Sequence, residues 1–291
     1  MTRTLDRIIE VTGGLAGDSY LVVGKLKTAL IDCGMAYCAF ELIRNIKEAL
    51  NTRPLDYVLI SHSHYDHIGA IPYLKEEWPD LKIFGAAYDQ RVLNSPSALE
   101  GIKRLSLEAA ELYAGTAIQD YSDNLMKIDI LIADEDILDL GDLGIRVLET
   151  PGHTKTSLSF FINDEVLFPS ESIGLINESG KNYSTFLVSY TQTTKSIHKC
   201  QALEPNFIIL PHHGHHAILQ GNECPNYFQK CLESAENTRN FILHLAELGY
   251  DEEEILSECV QSLPLAGPLA QPIHAFRINT RSMIKVVLSG K

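Results

Sequence analysis

Short apolar runs alternate with amphipathic segments along the first 210 residues, and this order restricts the chain to the α/β class. Helices are predicted at about residues 39–50, 96–114 and 193–202. Strand-like runs are found at residues 7–11, 19–23, 28–31, 57–60, 128–132, 145–148, 158–162, 166–168 and 207–210. From Cys224 onward the pattern is helical, with segments near 225–248, 252–263 and 270–288. The sequence therefore predicts a strand-rich α/β body followed by a helical C-terminal part.

Composition excludes several classes of partner. The 291 residues carry 24 Lys and Arg against 38 Asp and Glu, a formal net charge of −14, with no basic cluster suited to phosphate backbones. This balance argues against nucleic acid or an anionic membrane as the main partner. The longest apolar runs are far shorter than the ~20 residues of a membrane span. The N-terminus has no apolar segment typical of a secretory signal, so we expect none.

The six cysteines indicate a reducing compartment. They are irregularly spaced and form no CxxC motif. A chain of this length needs no disulfide framework, so we expect buried, reduced thiols in a cytoplasmic protein.

Histidines are unevenly placed, and the densest group follows a predicted strand. Residues 61–67 read Ser-His-Ser-His-Tyr-Asp-His, directly after the apolar run 57–60. Alternate side chains of an extended segment point the same way, so we expect His62, His64 and Asp66 to converge, with His67 facing the same centre where a helix begins. Three imidazoles and a carboxylate exceed what one tetrahedral catalytic zinc uses while keeping an open position. The cluster predicts two metal ions, and the alternative interpretation is a polar turn.

Further candidate ligands follow later strands. His153 comes after the run 145–148, Glu171 after 166–168, and His212 and His213 after 207–210. Loops beyond strand ends are where a rigid sheet directs side chains into a shared cleft. We therefore expect distant residues to complete the site, although a surface acid at 171 would give the same pattern.

These residues together carry a family resemblance. The order His62-x-His64-x-Asp66-His67, then His153, an acid at 171 and His213, resembles the signature of the metallo-β-lactamase superfamily. The segment Leu-Ile-Asp-Cys-Gly at 30–34 is similar to the strand-plus-Asp-Gly element of that family.

The resemblance implies an αββα sandwich over residues 1–221, with a helical insertion at about 96–114. Residues 222–291 would form a helical C-terminal extension packing near the active site. The implied ligands of the first metal ion are His62, His64 and His153, and those of the second are Asp66, His67 and His213, with Glu171 bridging. Asp66 is the predicted catalytic residue, because it would also fix the attacking water. Two divalent ions are expected, and zinc, iron and manganese all suit these ligands.

The sequence departs from the family pattern at four positions. Glu171 replaces the usual bridging Asp, Ser170 and Thr156 stand where Gly is common, and the final motif reads Pro-His-His-Gly at 211–214. The register favours His213 as the last ligand, while His212, His215 and His216 are all close to it in sequence.

Two features outside the motif could serve the site. Asp32 is expected to orient ligands through hydrogen bonds rather than to bind metal. Arg277, Arg281 and Lys285 recur every four residues, so they share one helix face. They could meet an anionic group of a substrate, and a solvated basic stripe explains them equally well. The acidic run 251–254 is predicted to begin a helix.

The implied activity is hydrolysis by a metal-held hydroxide. The placement of the helical extension is similar to that in glyoxalase II and the quinolone-signal response thioesterase group. The stretch 62–74 and the amphipathic helix at 98–113 resemble the second group more closely. A small acyl thioester is therefore the leading substrate, and it could carry an anionic group. Lactone or phosphodiester hydrolysis, a regulatory or ligand-binding protein with a little-used metal site, and a single-iron oxidative enzyme are the alternatives. The sequence is compatible with a homodimer.

Overall fold

The computed structural model describes residues 4–15, 17–177, 179–212, 218–263 and 272–290. The strands are β1 (Ile8–Glu10), β2 (Tyr20–Val23), β3 (Thr28–Ile31), β4 (Tyr57–Leu59), β5 (Lys82–Gly85), β6 (Ile130–Leu131), β7 (Ile137–Asp139), β8 (Gly144–Glu149), β9 (Leu158–Ile162), β10 (Val166–Phe168), β11 (Leu175–Ile176), β12 (Asn182–Tyr183), β13 (Phe207–Ile209) and β14 (Ile218–Gln220). The α-helices are α1 (Ala39–Leu50), α2 (Tyr65–Ile68), α3 (Ile71–Glu77), α4 (Ala87–Leu93), α5 (Pro96–Ala114), α6 (Tyr190–Gln201), α7 (Glu223–Glu247), α8 (Glu252–Ser262) and α9 (Ile273–Leu288).

The first sheet has the order β1-β2-β3-β4-β5-β6. Its first two pairs are antiparallel, and β3 through β6 run parallel to one another. Parallel neighbours need crossover connections, and the connection from β3 to β4 contains α1. The buried residues of α1 recur at three- and four-residue steps (Ala39, Leu42, Ile43, Ile46 and Leu50), so one face of this helix is apolar.

The second sheet has the order β14-β13-β10-β9-β8-β7. Strands β10 and β13 are parallel, with Val166 opposite Phe207 and Leu167 opposite Ile208. Strands β11 and β12 form a separate antiparallel pair. All residues of β9 and β10 are buried. Strands buried on both faces read as continuous apolar runs, which is why the sequence marks them clearly.

Contacts divide the chain into two compact units. Unit 1 is Met1–Leu148 with Phe160–Asn163, and unit 2 is Glu149–Ser159 with Asp164–Lys291. The core of unit 1 includes Leu30, Ile46 and Ile60. The core of unit 2 includes Phe186, Ile242 and Ile284.

The predicted fold class is confirmed: the chain is mixed α/β, with two β-sheets, flanking helices and a helical C-terminal region. The predicted helix at 96–114 coincides with α5. The predicted strand at 128–132 shortens to β6, and α6 begins at Tyr190, three residues before the predicted start. The sequence reading missed β5, β7, β11, β12 and β14, as well as helix α4. The helix-like run expected to begin at residues 68–70 corresponds to α3.

The predicted division at residue 221 stays a prediction. Within unit 2, α7 contacts α6, β12 and β14, so the helices after residue 222 pack with elements that precede it. Of the helices that the structure describes, none combines the length and apolar character needed to cross a bilayer.

Candidate metal centre

In unit 1 the candidate ligands lie at the carboxyl ends of β3 and β4. These strands are parallel, with Ile31 opposite Leu59, so the residues after them meet at one edge of the sheet. The backbone N–H of Asp32 donates to the carbonyl oxygen of Leu59 at 3.0 Å. This pairing sets Asp32 beside the loop that carries the histidine motif.

Asp32 is the anchor of this half of the site. Its Oδ1 accepts from the backbone N–H of Ser61 at 2.7 Å, and its Oδ2 accepts from Ser61 Oγ at 2.8 Å. The Nδ1 of His67 also lies 2.8 Å from Oδ2. A carboxylate only accepts, so Nδ1 of His67 carries the proton and Nε2 is left as the ligand atom. Asp32 thus orients His67, in agreement with the sequence prediction.

The histidine motif is extended only as far as His64. Nε2 of His62 lies 2.9 Å from Nδ1 of His64, so these two side chains do converge. Helix α2 begins at Tyr65, which places Asp66 and His67 in its first turn. The prediction that Asp66 follows the strand alternation of His62 and His64 is therefore wrong. The helical turn still brings Asp66 beside its neighbour, with Oδ2 at 3.8 Å from Nε2 of His67.

In unit 2, His153 lies on a loop in which the preceding residue, Gly152, has no room for a side chain. Gly152 has a φ of +142°, and a Cβ there would lie 2.7 Å from the backbone nitrogen of Thr193. The backbone N–H of His153 donates to Ser172 Oγ at 2.9 Å, and its Nδ1 lies 2.8 Å from the carbonyl oxygen of Thr185. A carbonyl only accepts, so Nδ1 is again the protonated nitrogen and Nε2 the ligand atom.

Glu171 and His212 are brought together by sheet register. The parallel pairing of β10 and β13 sets each residue opposite the one 41 positions later, as Val166 is opposite Phe207. The same offset extended beyond both strands relates 171 to 212. Oε1 of Glu171 lies 3.2 Å from Nε2 of His212, and its Oε2 lies 3.6 Å from Nε2 of His153. His213, the predicted last ligand, lies outside the described residues together with His215 and His216, so its role stays a prediction.

The donor set fits a divalent metal ion. Imidazole nitrogens and carboxylate oxygens are common ligands of zinc, iron and manganese, and the described residues include groups of them close enough to hold an ion. The histidines at 67 and 153 each have Nδ1 held by an oxygen acceptor, the arrangement found in metal-ligating histidines. The chain therefore carries His, Asp and Glu clusters able to hold metal.

Cysteine chemistry does not compete with this site. Cys33 follows Asp32 in sequence, and its thiol donates to the carbonyl oxygen of His67 at 3.2 Å. Burial, with the charge of Asp32 as a smaller cause, raises the pKa of Cys33. Burial also raises the pKa of both Cys200 and Cys231 to about 12. These thiols stay protonated near neutral pH and are poor nucleophiles. All six cysteines are buried and outside disulfides, as predicted.

The basic stripe of α9 pairs with the start of α8. Arg281 forms ion pairs with Glu252 and Glu253, and Lys285 lies 3.9 Å from Glu252. Nη2 of Arg277 is 4.0 Å from Glu253. The stripe is thus engaged by acidic side chains of the same unit, and its suggested role as a handle for an anionic substrate stays a prediction. The acidic run begins a helix as predicted, with a capping box between Asp251 and Glu254.

Sequence reasoning missed three residues that hold the ligands in place: Ser61, Ser172 and Thr185. Thr185 accepts from His153 through its carbonyl and donates through Oγ1 to the carbonyl oxygen of Glu171 at 3.2 Å. A backbone acceptor leaves no mark on residue type, so nothing in the sequence signals Thr185. Ser61 directly precedes the histidine motif, and this position is the one feature of the sequence that could have indicated its role.

Known proteins share this fold. A metallo-β-lactamase fold-containing protein, ST1585, from Sulfurisphaera tokodaii is 26% identical over 200 residues, which are 67% of this chain and 72% of that protein. A hydroxyacylglutathione hydrolase from Francisella philomiragia is 23% identical over 246 residues, 81% of each chain. The crystal structure of ST1585 from Sulfolobus tokodaii superposes with a TM-score of 0.64 at 19% identity, covering 97% of this chain and 98% of that one.

A match between this sequence and a protein-family model identifies the family. The model described as the metallo-beta-lactamase superfamily matches residues 12–212, well over half of the chain and the whole span from the Gly-rich loop after β1 to His212. The chain belongs to the metallo-β-lactamase superfamily.

Proposed function

We propose that this protein is a dinuclear metal-dependent hydrolase of small acyl thioesters. In the arrangement that the superfamily motifs imply, His62, His64 and His153 would hold one ion. Asp66, His67 and a histidine of the final motif would hold the other, with Glu171 bridging. Bound divalent ions would supply a hydroxide at neutral pH and polarise the acyl oxygen.

The observation that carries the proposal is the anchored motif of unit 1. Asp32 is 6% exposed and His67 only 3%, and the two share a 2.8 Å hydrogen bond. A buried carboxylate is costly unless it is hydrogen-bonded, and here its acceptors are satisfied by Ser61 and His67. The hydrogen bond from Nδ1 of His67 fixes both the tautomer and the orientation of the imidazole ring, which is what a histidine that binds an ion through Nε2 requires.

The chain's own residues have separate tasks in this scheme. Asp66 would orient the attacking water and accept its proton at the carboxylate, since it stands beside His67 and is partly exposed. Glu171 would contribute carboxylate oxygens to metal binding, since they lie 3.6 Å from Nε2 of His153 and 3.2 Å from Nε2 of His212. The protonated cysteines leave no competing covalent nucleophile among the thiols.

The thioester class is supported by relatives. Several proteins similar to this chain are named hydroxyacylglutathione hydrolase, at 23% to 28% identity. Hydroxyacylglutathione is an acyl thioester, and a hydrolase of this class needs only a polarised acyl oxygen and a metal-held hydroxide. We further propose a cytoplasmic location, in keeping with the buried thiols, and a small-molecule substrate rather than nucleic acid or membrane.

The test combines metal content with a substrate panel. Elemental analysis of the untagged protein should give about two metal ions per chain, and turnover should be highest with acyl thioesters among thioesters, lactones and phosphodiesters. The variant His62→Gln should lose metal and turnover, whereas His198→Gln, a histidine on the outer face of α6, should keep both.

Two outcomes would contradict the proposal. A single iron per chain would indicate oxidative chemistry, and a metal-free protein that is inactive on the panel would indicate a regulatory or ligand-binding role.

A further inference from the structure

Helix α5 covers the part of unit 1 that carries the histidine motif. It contacts both α2, which holds Asp66 and His67, and the 3-10 helix Ala36–Cys38. Its buried residues are Ile102, Ser106, Ala109 and Ala110, and Tyr113 continues the same face one turn later. This face is apolar except for two hydroxyl groups, those of Ser106 and Tyr113.

The hydroxyl of Tyr113 is buried and accepts or donates no hydrogen bond among the described residues. Its ring is fixed, because it stacks on Tyr37 with centroids 6.1 Å apart and planes 24° from parallel. Tyr37 is itself tied down, since its hydroxyl donates to the carbonyl oxygen of Leu15 at 2.7 Å. A polar group held in a defined position without a partner is costly to the folded protein.

Tyr113 also belongs to the helix that contacts α2, and α2 carries Asp66. A phenol has an ordinary pKa of about 10, so its hydroxyl keeps the proton at physiological pH. A neutral phenol near the predicted catalytic carboxylate is a hydrogen-bond donor for whatever binds there.

We propose that Tyr113 is a substrate-contacting residue, which donates its hydroxyl to an oxygen of a substrate bound next to Asp66. Helix α5 then forms one wall of the substrate site instead of serving only as core packing. The proposal rests on the thioesterase function proposed above. It accounts for the partnerless hydroxyl, because the substrate would supply the acceptor that the described protein lacks.

Another tyrosine of unit 1 provides the matched control. The hydroxyl of Tyr73 donates to the carbonyl oxygen of Gln119, so its hydrogen bond is made within the folded protein. Replacing Tyr73 by Phe removes a structural hydrogen bond, whereas replacing Tyr113 by Phe removes a hydroxyl that has none.

The experiment measures steady-state kinetics of the metal-loaded protein with the acetyl thioester of N-acetylcysteamine. Tyr113→Phe should raise KM about 5- to 10-fold and leave kcat within about twofold, the signature of lost uniform binding. Tyr73→Phe should leave both constants within about twofold. An unchanged KM in Tyr113→Phe, with an active parent protein, would overturn this inference alone. A parent protein without thioester turnover would overturn the proposed function, and this inference with it.

Thermal unfolding without substrate gives a readout that does not depend on activity. Tyr113→Phe should keep or raise the melting temperature, because a partnerless buried hydroxyl is removed. Tyr73→Phe should lower it. A melting temperature of Tyr113→Phe lowered as much as that of Tyr73→Phe would assign Tyr113 a structural role and overturn the inference.

Discussion

The two units hold their candidate ligands in different ways. In unit 1, His62, His64, Asp66 and His67 come from six consecutive positions, and Asp32 anchors them. In unit 2, His153, Glu171 and His212 come from three separate loops, joined by hydrogen bonds through Thr185 and by sheet register. A contiguous motif depends mostly on local backbone geometry, whereas a scattered set depends on long-range pairing. We therefore expect the unit 1 ligands to tolerate less chemical change than those of unit 2.

The largest effect should come from Asp66→Ala. Loss of the carboxylate removes a candidate ligand and the acceptor for the water proton, so kcat/KM should fall by about a thousandfold or more. The measurement is thioester turnover, with circular dichroism as the check on folding. Asp80→Asn, an exposed aspartate of the same unit, should have no effect. Unchanged turnover in Asp66→Ala would mean that the mechanism is wrong.

The next effect tests the anchor of unit 1. Asp32 has a φ of +51°, a conformation that Asn also adopts readily, so Asp32→Asn changes the charge without straining the backbone. Because His67 loses its charged acceptor, metal affinity should fall by about 10- to 100-fold in a chelator competition. The matched control is Asp142→Asn, since Asp142 also accepts from a backbone N–H but lies at the surface. Equal metal affinity in both variants would remove the anchoring role of Asp32.

A smaller effect is expected at the unit 2 ligand that departs from the family pattern. Glu171→Asp keeps the carboxylate and shortens the side chain by one methylene to the usual family residue. Metal content should be retained, and turnover should change by less than about tenfold, because the ligand chemistry is unchanged. Glu171→Gln, which removes the charge at equal length, should lose metal. If Glu171→Asp proved as damaging as Asp66→Ala, the two units would be equally intolerant and our comparison would fail.

The smallest effect concerns the ion pairs between α8 and α9. A side-chain hydrogen bond from Arg281, together with its charge, lowers the pKa of Glu253 in the folded protein. The stabilisation from this pair is thus complete above the unfolded pKa of about 4.3 and is lost as pH falls through the lower folded value. Glu253 is exposed and Arg281 is partly exposed, so salt should weaken the effect. The melting temperature of Glu253→Gln should fall slightly below that of the parent at pH 7, and the difference should shrink as the pH is lowered through the folded pKa of Glu253. A difference that does not shrink with acidification would assign the effect to something other than this pair.

The same contrast explains what the sequence predicted and what it missed. The helix of residues 96–114 and the strands β9 and β10 have strong apolar patterns, and the structure has them where they were expected. Short edge strands such as β7 and β14 have exposed residues at both ends and carry little apolar signal. Extended pairing makes them strands, and pairing is a long-range property.

The site shows the same division between local and long-range information. Alternation predicted the convergence of His62 and His64, yet it failed at Asp66 because the chain turns into α2 at Tyr65. Residue type alone did not choose between His212 and His213. The offset between β10 and β13, which only the paired sheet reveals, places His212 against Glu171.

Gly152 has a consequence for how this protein can vary. The backbone before His153 is left-handed, and the first turn of α6 fills the space that a side chain would need. The carbonyl oxygen of Gly152 also accepts a hydrogen bond from the backbone N–H of Val188 at 2.9 Å. If position 152 were randomised and clones were selected for metal retention, glycine alone should survive. Substitutions at position 152 are therefore not tolerated, although Gly152 has no side chain and takes no part in the chemistry.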